Sequence, residues 1–171
     1  MSGTIFHVVF GLRRDQKELE EKIGGRLRQI KADLDSSGIE GVLSDNIERD
    51  PLSKISFVSP QGAAGLYYNV TVGAAQVPGE VRDCFTGLIR EISDLADAMG
   101  LGFGEDIVAR NLRITDDSDP GITTSMQKDV AAGRKSEADG LIYEVVRLGE
   151  KYGVKVPLYT MIAEELRTRG I

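Results

Sequence analysis

Apolar residues recur every three or four positions along most of this sequence, and this helical period constrains the fold more than any other feature. The longest apolar stripe ends at Gly100, a residue type that commonly follows the last turn of a helix. The members of this stripe are Val81, Phe85, Leu88, Ile92, Leu95 and Met99. Shorter stripes predict further helices over residues 15–38, 51–68, 105–114, 124–132, 136–153 and 157–168. The pattern therefore predicts a mainly α protein of about six or seven helices.

Local signals add detail to these predicted helices. Pro60 predicts a kink or break, because proline lacks the backbone N–H that a helix interior requires. Residues 62–65 (GAAG) place small side chains on one side of the same element, where another backbone can approach closely. Residues 72–79 are expected to form a loop, and Ser136 with Asp139 has the spacing of a capping box ahead of the next-to-last helix.

Two short segments near the N-terminus favour strands instead of helices. Residues 4–12 (TIFHVVFGL) are β-branched and aromatic and predict one strand, and residues 39–43 predict a second short strand that pairs with it. The predicted fold class is therefore a multi-helix domain with one or two short N-terminal strands, which resemble the edge of a larger sheet. We expect two parts: the strands and a connecting helix over residues 1–43, and a single helical unit over residues 44–171.

The composition excludes several classes of protein. Among 171 residues, 21 Lys and Arg stand against 27 Asp and Glu, and the net charge of −6 repels a phosphate backbone, so no nucleic-acid partner is expected. One Cys and one His are too few for a zinc or iron site or for an intrachain disulfide, so no metal is expected and a reducing cytosol suits the chain. No segment approaches the roughly 18 continuous apolar residues of a membrane helix, and the first residues do not resemble a secretion signal. We therefore expect a soluble, cytoplasmic protein with no membrane partner.

Three residues are candidates for chemistry, and each also has a simpler structural interpretation. Lys54 follows the start of a predicted helix among apolar neighbours, where a partly desolvated ammonium can act as an acid; an ordinary surface lysine is the alternative. Ser125 and Glu137 lie at the starts of two successive predicted helices, whose free N–H groups favour anionic ligands; ordinary helix-end residues are the alternative. The glycine-rich segment 100–104 follows a predicted helix and not a strand, so the spacing indicates no nucleotide site and leaves any cofactor-binding residues unknown.

The second half of the sequence contains a series of short motifs. They are Thr124-Ser-Met126, Asp129-Val130, Gly133-Arg134, Ser136-Glu137-Ala-Asp139, Val145-Val-Arg-Leu-Gly149, Gly153-Val154 and Val156-Pro157. Together they resemble the helical C-terminal domain of the ketopantoate reductase (2-dehydropantoate 2-reductase) family, which is similar in fold to 6-phosphogluconate dehydrogenase. The segment DNIERDPLSKISF, at residues 45–57, looks like the acidic and hydrophobic lead into the catalytic lysine of that family.

This resemblance implies an oxidoreductase activity, the NADPH-dependent reduction of a 2-oxo acid in pantothenate biosynthesis. In the family, an N-terminal Rossmann domain binds the cofactor, and the helical domain supplies a lysine as general acid, substrate ligands and often dimer contacts. By position, Lys54 matches the catalytic lysine, and Ser125 and Glu137 match substrate-binding residues. The resemblance therefore implies NADPH for the whole family enzyme, with no cofactor expected for this chain alone, and a homodimer and a small 2-oxo acid as partners.

The sequence departs from the family pattern at several asparagines: one is absent near Ile142, Tyr159 takes the place of another, and three more follow the lysine. The family has asparagines four, eight and eighteen positions after the lysine, where this sequence has Val58, Gly62 and Val72. The candidates to replace the lost amide contacts are Ser59, Gln61 and Asn69. Two interpretations therefore stay open. The chain is either the substrate-binding and dimerising half of a ketopantoate-reductase-like enzyme, or a non-catalytic helical module that dimerises or binds a ligand.

Overall fold

The computed structural model describes residues 6–171, and the chain divides into two compact units between Pro51 and Leu52. Thr4 and Ile5, with which the predicted first strand begins, lie outside the described residues. The functional division predicted between residues 43 and 44 stays a prediction.

The first unit is a β–α–β arrangement. Its two strands, β1 (His7–Phe10) and β2 (Glu40–Leu43), pair in parallel with residues 7–10 opposite residues 40–43. A 3-10 turn (Arg14–Leu19) and helix α1 (Glu20–Ser36) connect them. The two predicted strands and their pairing are therefore confirmed.

The small sheet is exposed. Phe6, Val8 and Val9 are 68%, 40% and 37% accessible, although parallel sheets are normally covered on both faces. Within residues 6–171, no third strand pairs with β1. β1 therefore presents an open edge and uncovered apolar side chains.

The second unit is helical, and the mainly α fold class is confirmed. Its helices are α2 (Arg49–Tyr68), α3 (Gly73–Gln76), α4 (Glu80–Ala98), α5 (Ile107–Asp116), α6 (Ser125–Ala131), α7 (Glu144–Tyr152) and α8 (Pro157–Thr168). A π-helical turn (Asp139–Tyr143) leads directly into α7. Leu88 and Ile92 of α4 pack in one core cluster with Tyr159 and Ile162 of α8. None of the helices in the described part of the chain is long and apolar enough to cross a membrane.

Two local predictions in this unit are wrong. The segment 72–79, expected as a loop, contains the short helix α3. Ser136 and Asp139 form no capping box: Ser136 Oγ accepts only a 3.4 Å hydrogen bond from the Ala138 N–H, and Asp139 pairs with Arg147. The helix that follows begins instead with the π-helical turn.

Pro60 lies inside α2 and does not break it, so the predicted break is wrong, while the predicted kink stays a prediction. Proline lacks the N–H that would bond the carbonyl four residues earlier, which here belongs to Ser56. The carboxamide of Asn111, on α5, donates to that carbonyl oxygen at 2.8 Å and also contacts Ser56 Oγ at 3.1 Å. Because a donor from another helix satisfies the carbonyl that Pro60 leaves open, α2 continues to Tyr68.

Candidate functional site

One face of α2 forms a wall of a pocket of about 270 Å³. Lys54, Val58 and Gln61 line this wall, and their spacings of four and three residues place them on one face of the helix. Gly65 is the next position on the same stripe, and there a side chain of α6 closes the space. The pocket therefore occupies the part of this α2 face that α6 leaves uncovered.

The opposite wall comes from the start of α6 and the segment after it. It is lined by Thr124, Ser125, Met126, Glu137 and Leu141. Reciprocal capping fixes the first turn of α6, since the Gln127 N–H donates to Thr124 Oγ1 at 3.1 Å and the Thr124 N–H donates to Gln127 Oε1 at 3.0 Å. Gln127 Nε2 also donates to the Val70 carbonyl at 2.8 Å, which ties α6 to the chain just beyond α2.

Two glycines of α2 allow α6 to lie this close. A Cβ atom at Gly62 would lie 2.9 Å from Met126 Cε, and one at Gly65 would lie 2.6 Å from Gln127 Cδ. Both distances are shorter than side-chain packing permits, so a larger residue at either position would force a side chain of α6 to move. Met126 covers Gly62, and Val72 is buried outside the pocket. Of the three departures that follow the lysine, only Val58 therefore lines the pocket.

A buried hydroxyl pair holds the wall that contains Leu141. Ser59 Oγ donates to the Leu141 carbonyl oxygen, and Tyr159 Oη lies 2.7 Å from Ser59 Oγ. The Ser59 hydroxyl has one proton and the carbonyl only accepts, so Tyr159 is the donor in the second bond. Burial raises the pKa of Tyr159 above its ordinary value, which keeps this donor protonated. The pair joins α2 and α8 to the π-helical turn.

Lys54, Ser125 and Glu137, the three residues assigned from the sequence, line this one pocket. All three side chains belong to exposed residues, so they lie where a ligand can reach them. Within residues 6–171, neither the Lys54 ammonium nor the Glu137 carboxylate has a hydrogen-bond or ion-pair partner. An ammonium that donates, a carboxylate that accepts and a hydroxyl that does both therefore surround apolar side chains, an arrangement that suits a small anion with a carbonyl or hydroxyl group.

Three pocket residues had no role assigned from the sequence, namely Thr124, Met126 and Leu141, whereas Val58 was named there as a departure from the family pattern and Gln61 as a candidate to replace an amide contact. Val58 and Gln61 share helical spacing with Lys54, and Thr124 and Met126 flank Ser125, so the sequence contained a signal for these four. Leu141 had none, because its position depends on the π-helical turn.

The described residues contain no cluster of metal ligands, and the connection between β1 and α1 does not fit a dinucleotide. No three or more His, Cys, Asp and Glu side chains lie together as metal ligands within residues 6–171. After β1, a Cβ at Gly11 would lie 2.6 Å from the Ser44 carbonyl oxygen, so this glycine serves backbone packing and not phosphate binding. The first turn of α1 contains Glu20 and Glu21, whose charges oppose a phosphate at that helix start.

The sequence matches a family model described as "Ketopantoate reductase PanE/ApbA C terminal" over residues 46–170. This range includes helices α2 to α8 and every residue that lines the pocket. A search of curated proteins found no match to this sequence.

Solved structures of three proteins share the fold. The 2-dehydropantoate 2-reductase from Methylococcus capsulatus has a TM-score of 0.74 at 22% identity, over 85% of this chain and 46% of that chain. The dimeric ketopantoate reductase from Staphylococcus aureus has a TM-score of 0.77 at 20% identity, over 95% of this chain and 53% of that chain. D-mandelate dehydrogenase, in a ternary structure with NADH and anilino(oxo)acetate, has a TM-score of 0.74 at 20% identity, over 95% of this chain and 65% of that chain. The chain therefore spans about half to two thirds of the length of these proteins.

Proposed function

The chain belongs to the family of ketopantoate reductase C-terminal domains, and we propose that it is the substrate-binding and dimerising part of an NADPH-dependent oxidoreductase that reduces a 2-oxo acid. One observation carries this proposal. Lys54, Ser125 and Glu137 come from separate parts of the sequence and line the same pocket, without partners for the two charged groups in the described part of the chain.

The three side chains have different roles in the proposed reaction. NADPH would be held by the Rossmann domain of such an enzyme, and the chemistry it would supply is a hydride for the C2 carbonyl of the substrate. The Lys54 ammonium stabilises the negative charge that develops on the carbonyl oxygen and transfers a proton to it, which gives the 2-hydroxy acid. Ser125 donates a hydrogen bond to the substrate, and Glu137 accepts one from a substrate or product hydroxyl group. Lys54 is therefore the proposed general acid, and the other two residues hold the substrate.

The exposed sheet supports a separate cofactor-binding unit. Parallel sheets are normally covered on both faces by helices, and the helices of a larger sheet that continued from the open edge of β1 would shield Phe6, Val8 and Val9 from water. The connection between β1 and α1 does not itself fit a dinucleotide. The proposal therefore assigns cofactor binding to a Rossmann unit and not to residues 6–171.

We also propose that the protein is a cytoplasmic homodimer. The similar ketopantoate reductase from S. aureus is dimeric. In this chain, a groove of about 610 Å³ between α7 and α8 is lined in part by Val146, Val154, Pro157 and Met161, and Met161 is 39% exposed. A second copy would bury this apolar surface. Sedimentation velocity at micromolar concentrations tests the dimer, and a strictly monomeric species would contradict it.

A non-catalytic module is the second candidate function. Val58 in place of an amide in the pocket, and a connection between β1 and α1 that does not fit a dinucleotide, favour it. In that case the chain would dimerise or bind a ligand without supporting hydride transfer.

Turnover distinguishes the two candidates. The protein, with a Rossmann unit of the family fused or added in trans, is assayed for NADPH consumption with a panel of 2-oxo acids. We expect Lys54→Ala to lower kcat by about 100- to 10,000-fold, because it removes the general acid. Lys128→Ala is the matched control, since Lys128 is an exposed lysine on α6 that does not line the pocket.

Stability measurements on Lys54→Ala show whether a loss of turnover comes from the missing ammonium or from unfolding of the protein. Lys54 is exposed and has no partner in the described part of the chain, so Lys54→Ala should change the free energy of unfolding by less than about 0.5 kcal/mol. Turnover that Lys54→Ala leaves unchanged would reject Lys54 as the acid. No turnover with any 2-oxo acid would favour the non-catalytic module.

A further inference from the structure

We propose that Gln61 is a further substrate-binding residue, whose carboxamide donates a hydrogen bond to the carboxylate of the 2-oxo acid. This inference rests on the proposed function and deepens it. Three polar residues near Lys54 were candidates for an amide or hydroxyl contact with the substrate, namely Ser59, Gln61 and Asn69. The structure distinguishes between them.

Ser59 and Asn69 are not available to a ligand in this pocket. The Ser59 side chain is fully buried, donates its only proton to the Leu141 carbonyl and accepts from Tyr159. Asn69 lies just beyond the last residue of α2, where its φ of 53° takes the chain out of the helix, and it does not line the pocket. Both residues therefore have structural roles that a bound substrate would not share.

Gln61 has the opposite properties. It lines the pocket from the same face of α2 as Lys54, two helical turns further along. It is half-buried, and its carboxamide makes no hydrogen bond to any of residues 6–171. Its two N–H donors are therefore free to bind an acceptor in a ligand without giving up a hydrogen bond inside the described part of the protein.

The chemistry of the pocket identifies the acceptor. Among residues 6–171, Lys54 is the only cationic residue that lines it, and the proposed reaction uses that ammonium on the C2 oxygen. The substrate carboxylate then needs neutral donors, because Glu137, the other charged residue of the lining, only accepts when ionised. Gln61 lies on the same wall as Lys54, so a carboxylate next to the C2 carbonyl that Lys54 contacts can lie against it. Val58 lies between Lys54 and Gln61 on the same face of α2, and the proposal assigns it to contact the substrate side chain.

Solution NMR on the 18.6 kDa chain tests this directly, with 2-oxoisovalerate as the probe. In a ¹⁵N-labelled sample, the side-chain NH₂ resonances of Gln61 are identified by their loss in Gln61→Glu. We expect these resonances of the wild-type protein to shift on titration, together with the backbone amides of Lys54 and Glu137. If the amides of Lys54 and Glu137 shift while the Gln61 NH₂ does not, the Gln61 contact is wrong and the proposed function stands. If nothing shifts, the isolated chain does not bind this acid and the Gln61 contact is overturned, while the turnover assay with the panel of 2-oxo acids decides the proposed function separately.

Two variants give an independent measurement. Gln61→Glu places a negative charge beside the substrate carboxylate and should raise the Kd by about 10- to 100-fold. Asn69→Asp makes the same chemical change outside the pocket and should leave the Kd within about twofold. Equal effects of the two variants, or no effect of Gln61→Glu in a protein whose spectrum is otherwise native, would overturn the proposal.

Discussion

Asn111 donates from its buried carboxamide to the carbonyl oxygen of Ser56, at 2.8 Å, and this bond replaces the one that Pro60 cannot make. The donor lies on α5, 55 residues further along the chain. Continuity of α2 matters for the site, because Lys54 precedes the proline and Gln61 follows it on the same pocket wall. The bond between α5 and α2 therefore keeps both ends of that wall on one helix.

Asn111→Ala should destabilise the protein by about 2–3 kcal/mol, because it leaves the buried Ser56 carbonyl without a donor. In a Pro60→Ala background the new backbone N–H can bond that carbonyl, so the same substitution should cost at least about 1 kcal/mol less. Urea unfolding of the wild type, the two single variants and the double variant completes the cycle. An identical cost of Asn111→Ala in both backgrounds would show that the two residues do not act on the same carbonyl.

Gly65→Ala should also destabilise the protein, by about 1–3 kcal/mol, because the added Cβ would lie 2.6 Å from the Gln127 carboxamide. That carboxamide cannot move freely, since it bonds both Thr124 and Val70. Gly140→Ala is the matched control: no atom lies within 4 Å of its added Cβ, and the substitution should be neutral or stabilise by up to about 1 kcal/mol. Thermal unfolding of both variants gives the comparison, and equal melting temperatures would contradict the close packing of α6 on α2.

These two contacts illustrate what the sequence can and cannot predict about the fold. The period of apolar residues predicted α4 and α8 closely, because a helix buries its own stripe and its pattern is local. The GAAG segment predicted a close approach but not that α6 would make it. The break predicted at Pro60 was wrong because its remedy, the Asn111 carboxamide, is distant in sequence. Rules based on neighbouring residues take no account of tertiary contacts. Here a tertiary contact, the hydrogen bond from Asn111 to the Ser56 carbonyl, replaces the one that Pro60 cannot make.

In the candidate site, too, some positions follow from the local sequence pattern and others do not. No spacing rule relates Lys54 to Ser125 or Glu137, and their grouping was expected only from the resemblance to a family. The positions of Val58 and Gln61 beside Lys54 follow from helical geometry alone. The π-helical turn changes which residues of the 137–143 segment share a face, so Leu141 was not predictable from a regular helical period.

Glu91 should make stability depend on pH. Its buried carboxylate accepts hydrogen bonds from the N–H groups of Leu158, at 2.8 Å, and Tyr159, at 3.1 Å, in the first turn of α8. Burial nevertheless raises the pKa of Glu91 above its ordinary value of 4.5. The folded state then holds this proton more tightly than the unfolded state. The associated stability is fully present below the unfolded pKa and is lost as the pH rises through the folded pKa.

Glu91→Gln removes this titration while it retains one acceptor for the α8 N–H groups. The free energy of unfolding of the wild type minus that of Glu91→Gln should therefore fall as the pH rises from about 4 to about 7. Urea denaturation of both proteins at several pH values in that range measures the difference. A difference that is constant, or that grows with pH, would mean that the folded pKa is not raised.

Val58→Asn should shift substrate preference, if the proposed function is correct, because Val58 is the one departure from the family's asparagines that lines the pocket. An amide there can bond a substrate hydroxyl, and a site with such a partner favours the hydroxylated ligand. We expect the ratio of the Kd for 2-oxoisovalerate to the Kd for ketopantoate, its hydroxymethyl derivative, to rise by about tenfold or more. Titration of the ¹⁵N-labelled chain with each acid measures both constants.

Val58→Leu is the control for this change, since it alters the size of the side chain without adding a hydrogen-bonding group, and it should leave the ratio low. The two acids share the carboxylate and the C2 carbonyl, so contacts with Lys54 and Gln61 affect both equally and cancel in the ratio. Only a group that contacts the substrate side chain changes the ratio of the two Kd values. A ratio that Val58→Asn leaves at the wild-type value, with both acids still bound, would mean that residue 58 does not contact the part of the substrate in which the two acids differ.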